Sequence, residues 1–215
     1  MWKGEVLVKI LLDEPINLEQ VADLCAVGMK RKPPTPRNHA IWHVSNLLQS
    51  GRLIAKGDVR YHEFVGEPNG LMSWGRLWEF CVDHYLTHYA VGLGGFYIPD
   101  IESVKDGILG SLDGLMWLPE NAPVSGWMVC ETKLRFTLNG EIPLSHIQQV
   151  RAYCRLAETS LVCYVSGHII SAPPTAEARM RIINFTEQSI HECWQGIVNT
   201  RNYLQEQGCC PEGVR

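Results

Sequence analysis

The 215-residue chain has no run of about 18 apolar residues and no charged-then-apolar leader, so its sequence predicts neither a membrane span nor a secreted product. It has no cationic excess either: 19 Lys and Arg stand against 23 Asp and Glu, a net charge of −4 at pH 7. The global basic field that would announce a nucleic-acid binder is therefore missing. A local basic groove or a metal site can still coexist with an acidic total. There is no internal repeat and no low-complexity segment. GLGG at residues 92–95 follows a helical pattern rather than a strand and has no GK[ST] after it, which excludes a phosphate-binding loop. His84 and His88 are four apart but lack the HExxH of a zinc protease, and read as a solvent-facing pair. The eight cysteines, without a secretion signal, do not imply disulfides. Cys25, Cys81, Cys130, Cys154 and Cys163 lie in apolar surroundings and read as buried thiols of a cytoplasmic protein.

What is present is a length and apolar content sufficient for one sizeable core, with a single domain expected over 1–215. The patterns predict a strand over 5–12, a helix over 18–29, and a proline-broken basic loop, MKRKPPTPR, over 29–37. A short helix over 43–49 is expected to stop at Ser50-Gly51, with an extended region over 52–64 and a turn in GEPNG at 66–70. The strongest amphipathic helix spans 73–89, with Ser73 as N-cap and Trp78, Cys81, Val82, Tyr85 and Tyr89 in one stripe. Two strands follow over 107–118 and 126–136, then a turn at 138–140, a helix over 144–158 and a buried strand over 160–170. An edge strand over 179–185 and a terminal helix over 186–205, capped by Thr186, complete the chain. The order predicts an α/β or α+β fold, a mixed central sheet flanked by helices.

The stretch from Gly110 to Lys133, GSLDGLMWLPENAPVSGWMVCETK, concentrates the chemistry. Strand periodicity puts Glu131 and Lys133 on one face while Thr132 points away. If the two runs pair as a hairpin, Asp113 approaches Glu131 from the neighbouring strand. Magnesium takes one or two carboxylates, plus waters and phosphate oxygens, so Asp113 and Glu131 suit it, with the Thr132 carbonyl as a third protein ligand. Lys133 beside a metal-bound water would orient it and stabilise developing charge. A surface hairpin with an exposed Glu–Lys pair is the plain alternative.

The flanking helices weigh against that alternative. In GRLWE, Glu79 falls at the edge of the apolar stripe, where a carboxylate can look into a cleft between helix and sheet. On the next helix His146, Gln149 and Tyr153 share one flank, an amide and a phenol suited to phosphate contact, although each such residue is commonly structural. Lys30, Arg31 and Lys32, with Arg37, either contact a phosphate backbone or form a solvated loop.

GxxxE, GxxD, ExK and QxxxY, in that order, resemble the PD-(D/E)XK nuclease superfamily, and within it the RecB-like and lambda-exonuclease-like branch (YqaJ-type viral recombinases). The matching pieces are GRLWE at 75–79, GSLDG at 110–114, CETKL at 130–134 and QVRAY at 149–153. The resemblance covers roughly residues 73–170 and implies a restriction-endonuclease-like core there, with 1–70 as an N-terminal elaboration whose HVSNLL segment borders the DNA path. It implies Asp113 and Glu131 as metal ligands, Lys133 as the catalytic lysine, and Glu79 as the acidic residue that organises the metal site. Gln149 and Tyr153, with His146, would engage substrate DNA.

The implied activity is magnesium-dependent DNA hydrolysis, with manganese as a substitute, by an exonuclease of phage-type recombination or replication. A structure-specific endonuclease or a non-catalytic DNA-binding module are the other readings. The resemblance also implies a single-strand annealing or recombination partner, a host-cytoplasmic location if the chain is viral, and a ring-like trimer. Nothing in the residues themselves reads out an oligomer. Leu112 stands where the motif name has Pro. His84 is rotated about 140° from Glu79 and is no substitute for it. Cys193 and the adjacent Cys209-Cys210 fit the spacing of an iron–sulfur cluster badly, so no cluster is expected.

Overall fold

The computed structural model describes residues 8–28, 41–62, 70–135, 141–171 and 174–211. In chain order these form β1 (Val8–Pro15), α1 (Leu18–Gly28), β2 (Trp42–His43), α2 (Val44–Ile54), α3 (Gly70–Gly92) and β3 (Phe96–Lys105). Then come β4 (Ile108–Leu118), β5 (Gly126–Arg135), α4 (Leu144–Ala157), β6 (Leu161–Ser171), β7 (Pro174–Phe185) and α5 (Glu187–Glu206).

The strands make one mixed sheet of order β1-β7-β6-β5-β4-β2, with β3 on the other edge of β4. Among the described residues, only β5–β6 and β4–β2 pair in parallel. Strand alternation divides the core between the two faces. Val129, Val162, Tyr164 and Ile183 join Val150, Tyr153 and Trp194 of α4 and α5 on one side. Met128, Cys130, Cys163, Val165 and Met180 join Val82, Leu86 and Ala90 of α3 on the other. Burial on both faces explains why β6 reads as an apolar run rather than an alternation. The result is a mixed α/β fold with a central sheet flanked by helices, α1 and α3 on one face and α2, α4 and α5 on the other.

Several expectations need correction. β3 is a strand that the patterns did not announce; it forms a hairpin with β4, closed by Asp106 (φ 53°) and Gly107 (φ 70°) between the paired Lys105 and Ile108. Two central residues at positive φ make a tight hairpin turn for which Asp-Gly is suited. β7 lies between β6 and β1 and is no edge strand. Its alternating charges are matched across the ladder: Arg179 and Arg181 donate from Nε to Asp13 Oδ1 of β1 at 2.9 and 3.3 Å. α2 runs through Ser50-Gly51 to Ile54, where the missing Cβ of Gly51 admits Thr200 of α5. This places 52–54 in a helix rather than an extended segment. Ser73 lies inside α3, which has begun by Gly70, and is not its N-cap. Thr186 does cap α5, its side chain accepting from the Ser189 amide at 3.2 Å.

Among the described residues, no helix is long and apolar enough to cross a membrane. The basic loop at 29–37, with Lys30, Arg31 and Lys32, and the turn at 138–140 lie outside the described residues.

Candidate active site

β4 pairs with β3 along one edge from Ile108 to Trp117, with a break at Asp113. On its other edge β2 pairs with Ile108 and Leu109, and β5 pairs only with Gly114–Leu118. β4 and β5 therefore part beyond the Gly114–Cys130 pair, while β5 continues against β6 as far as Arg135. Where the ladder stops, the Asp113 side chain takes over: its Oδ2 accepts from the Thr132 amide at 2.6 Å. The backbone donor is satisfied and the carboxylate is fixed beside Glu131.

Glu131 is 1% exposed, and neither of its oxygens accepts a hydrogen bond of good geometry among the described residues. Oε1 is in ion-pair contact with the Lys133 ammonium, which lies on the same strand face two residues on. Across the sheet edge, Glu79 of α3 is half-buried and feels the charges of Asp113 and Lys133. The structure thus brings Asp113, Glu131, Lys133 and Glu79 into one electrostatic neighbourhood.

The titration of these groups reflects burial first and crowding by negative charge second. Burial, then the Asp113 charge, push Glu131 up to about 8. The same two causes push Glu79 up to about 7. Burial raises Asp113 above the usual carboxylate range, although Lys133 and the Thr132 amide draw it down. Burial opposes the charge on Lys133, but Glu131 and Asp113 outweigh it and hold the ammonium protonated far into the alkaline range. Three carboxylates around one ammonium leave a shortage of positive charge, which a divalent cation would supply.

The residues fit a hard cation on these observations: two adjacent carboxylates, one with an orphaned buried oxygen, at a point where the ladder opens. Among the described residues no three His, Cys, Asp or Glu side chains form a ready ligand cluster. Magnesium does not require one, since it keeps several waters and uses one or two carboxylates. For Glu131 to serve as a ligand through Oε1, Lys133 must move off that oxygen.

α4 covers the site from the other side. Tyr153 is 3% exposed, and its hydroxyl accepts from Gln149 Nε2 at 2.9 Å. The phenol senses the charges of Glu131, Lys133 and Asp113, so it forms part of the site's floor rather than an open contact surface. Gln149, half-buried, is the member of the pair with access to a ligand. His146 Nδ1 stands 2.7 Å from the Tyr164 hydroxyl. Burial, with Lys133, Arg135 and Arg52 nearby, lowers it to about 4, so it is neutral at pH 7.

No family model matches the chain, and no curated protein matches it. Among solved structures it is similar to SSO0001, with a TM-score of 0.47 and 13% identity, over 91% of this chain and 86% of that one. It is also similar to LHK-Exo, an alkaline exonuclease from Laribacter hongkongensis, with a TM-score of 0.49 and 13% identity, over 78% of this chain and 89% of that one. The same enzyme in complex with dAMP gives a TM-score of 0.49 and 14% identity over the same shares, 78% and 89%. These are likenesses of chain path and assign no residue and no activity.

Three residues that the sequence reading passed over border the site. Tyr97 of β3 points its hydroxyl at Asp83 Oδ1, 2.6 Å away. Asp83 is one helical turn beyond Glu79, a spacing that marks a shared flank. Asp100 sits at φ 54°, bracketed by the pairs Pro99–Gly114 and Ile101–Leu112, and so lies opposite Asp113. A non-glycine residue in the left-handed region is uncommon and is found at functional sites. The Asp106-Gly107 turn was the available signal, because it announces the hairpin that delivers both Tyr97 and Asp100.

Proposed function

We propose that this chain is a magnesium-dependent deoxyribonuclease that hydrolyses DNA phosphodiester bonds, and that it is an exonuclease working on DNA ends. The observation that carries the reading is the buried Glu131 carboxylate. It has an oxygen without a hydrogen-bond partner, lies where β4 and β5 part, and has Asp113 and Lys133 beside it. A buried carboxyl oxygen without a partner is costly whichever way the group is protonated, and a site that keeps one has a use for it.

Asp113 and Glu131 would hold the cation, with the Thr132 carbonyl as a third protein ligand and Glu79 closing the acidic side. Magnesium, or manganese in its place, supplies Lewis-acid activation of water and of a phosphoryl oxygen when bound. Asp113 is oriented for this by the Thr132 amide it accepts from. Lys133 stays protonated, so its ammonium is a fixed donor for a non-bridging phosphate oxygen and neutralises charge that develops there. Gln149 would donate to the substrate strand from α4; its Nε2 donates to the Tyr153 hydroxyl, which supports the amide from behind. His146, neutral at pH 7, adds a polar contact without adding to the positive charge. Lys30, Arg31 and Lys32 would contact the DNA backbone.

Action at ends, and a part in phage-type recombination or replication beside a single-strand annealing protein, rest on the motif resemblance. The deciding experiment uses linear DNA labelled at either end and covalently closed circles, each with and without magnesium. Loss of end label in magnesium, with circles left intact, is the expected result. Cutting of circles makes it an endonuclease, and binding without cleavage in magnesium or manganese makes it a DNA-binding module.

A further inference from the structure

We propose that Asp83 and Tyr97 form a clamp that sets Asp113 against Glu79, making Tyr97 a positioning residue for the cation site. The inference rests on the metal-dependent reading above.

Tyr97 Oη donates to Asp83 Oδ1 at 2.6 Å and shares the same proton, as the longer limb of a bifurcated bond, with the backbone carbonyl oxygen of Asp113 at 3.1 Å. One hydroxyl therefore joins the helix that carries Glu79 to the strand residue that carries the Asp113 carboxylate. Space for this is made at Gly114, where a Cβ would stand 2.4 Å from Tyr97 Cε2 and 2.5 Å from its Oη. The ring is buried in the core beneath α3, where phenylalanine would fill the same volume. What the hydroxyl adds is the link. A hydrogen bond of 2.6 Å is directional and short, and so fixes a distance as packing alone does not.

α3 has a second anchor on the other side of Glu79. The Trp78 ring lies over Gly167 of β6, close enough that a Cβ there would meet Trp78 Cζ2 at 2.9 Å. Glu79 thus sits between two anchors, and the Asp83–Tyr97 bond is the one that reaches Asp113. Asp113 is held from both ends, its carboxylate by the Thr132 amide and its carbonyl by Tyr97. Cation sites need their carboxylates within about 0.5 Å of the productive geometry, and hydrogen-bond partners behind the ligands provide this.

The experiment measures Mn2+ affinity of the full chain by electron paramagnetic resonance, without DNA, for the wild type and for Tyr97→Phe, Asp83→Ala and Asp83→Asn. Thermal midpoints are recorded alongside. Tyr97→Phe and Asp83→Ala are expected to weaken Mn2+ binding by about 10–100-fold. Asp83→Asn keeps an acceptor oxygen for Tyr97 and is expected to bind within about threefold of wild type. A folded Tyr97→Phe variant that binds Mn2+ as tightly as the wild type overturns the clamp and leaves the nuclease reading standing, even if its midpoint falls. A wild-type chain that takes up no Mn2+ overturns the metal-dependent reading itself, and the clamp with it.

Discussion

Asp113 Oδ2 accepts the Thr132 amide at 2.6 Å where β4 and β5 cease to pair, so a side chain stands in for the missing rung of the ladder. The same contact turns a structural need into a site. The amide requires an acceptor, and the acceptor it finds is a carboxylate held next to Glu131.

Removing either half of the proposed catalytic pair should remove cleavage and leave the fold. Asp113→Asn keeps an oxygen to accept from Thr132, and Lys133→Ala takes away the donor to phosphate. Each is expected to lower the single-turnover cleavage rate by about a hundredfold or more. Gel assays on end-labelled linear DNA, with circular dichroism beside them, check this. Full activity in either variant would sink the assignment.

Glu131 should be a stability cost that a cation repays. Divalent magnesium is expected to raise the wild-type thermal midpoint, with about 2.7 kcal/mol gained at a hundred times the dissociation constant, and EDTA should abolish the gain. Glu131→Gln removes the carboxyl that would bind the cation and keeps the side-chain volume. Its midpoint without magnesium should match or exceed that of the wild type, and it should no longer respond to magnesium. Differential scanning fluorimetry across a magnesium titration reads both effects.

His146 gives a pH dependence of definite sign. Folding lowers it from 6.5 to about 4, chiefly through burial, so the unfolded chain binds its proton more readily. This contribution to stability is present above about 6.5 and is lost as pH falls through that value towards 4. His146→Gln has no proton to take up. Urea midpoints measured from pH 4 to pH 7 should fall less steeply on acidification in the variant than in the wild type. Parallel curves would show that His146 does not titrate as described.

Gly114→Ala should be destabilising by overpacking, because its Cβ would stand 2.4–2.6 Å from the Tyr97 ring and hydroxyl. A cost of about 1–3 kcal/mol is expected. Tyr97→Leu frees part of that space, so the double variant should be less destabilised than the sum of the single ones. Additive costs in a denaturant-based double-mutant cycle would place the strain elsewhere.

Much of the architecture could be read from local pattern. The apolar stripe of α3, the paired runs of β4 and β5, the two-sided burial of β6 and the Thr186 cap of α5 all have their causes within a few neighbouring residues. The miss of β3 was local, at the Asp106-Gly107 turn, but two others had distant counterparts. β7 was expected at an edge, and its inner place comes from pairing with β1, where Asp13, 166 positions from Arg179, accepts from that arginine. α2 runs through Ser50-Gly51, and Thr200 of α5 packs into the space that the glycine leaves.

The site divides along the same line. By itself the sequence determined the types and order of the candidate residues, with Glu131 and Lys133 on one face, because strand periodicity is a local property. Only the tertiary structure decided that Asp113 bonds the Thr132 amide, that Glu131 is buried with one oxygen lacking any partner, and that Tyr97 joins Asp83 to the Asp113 carbonyl. Each of these depends on where one strand leaves another and on how closely a helix approaches, and both are set by packing across the whole sheet.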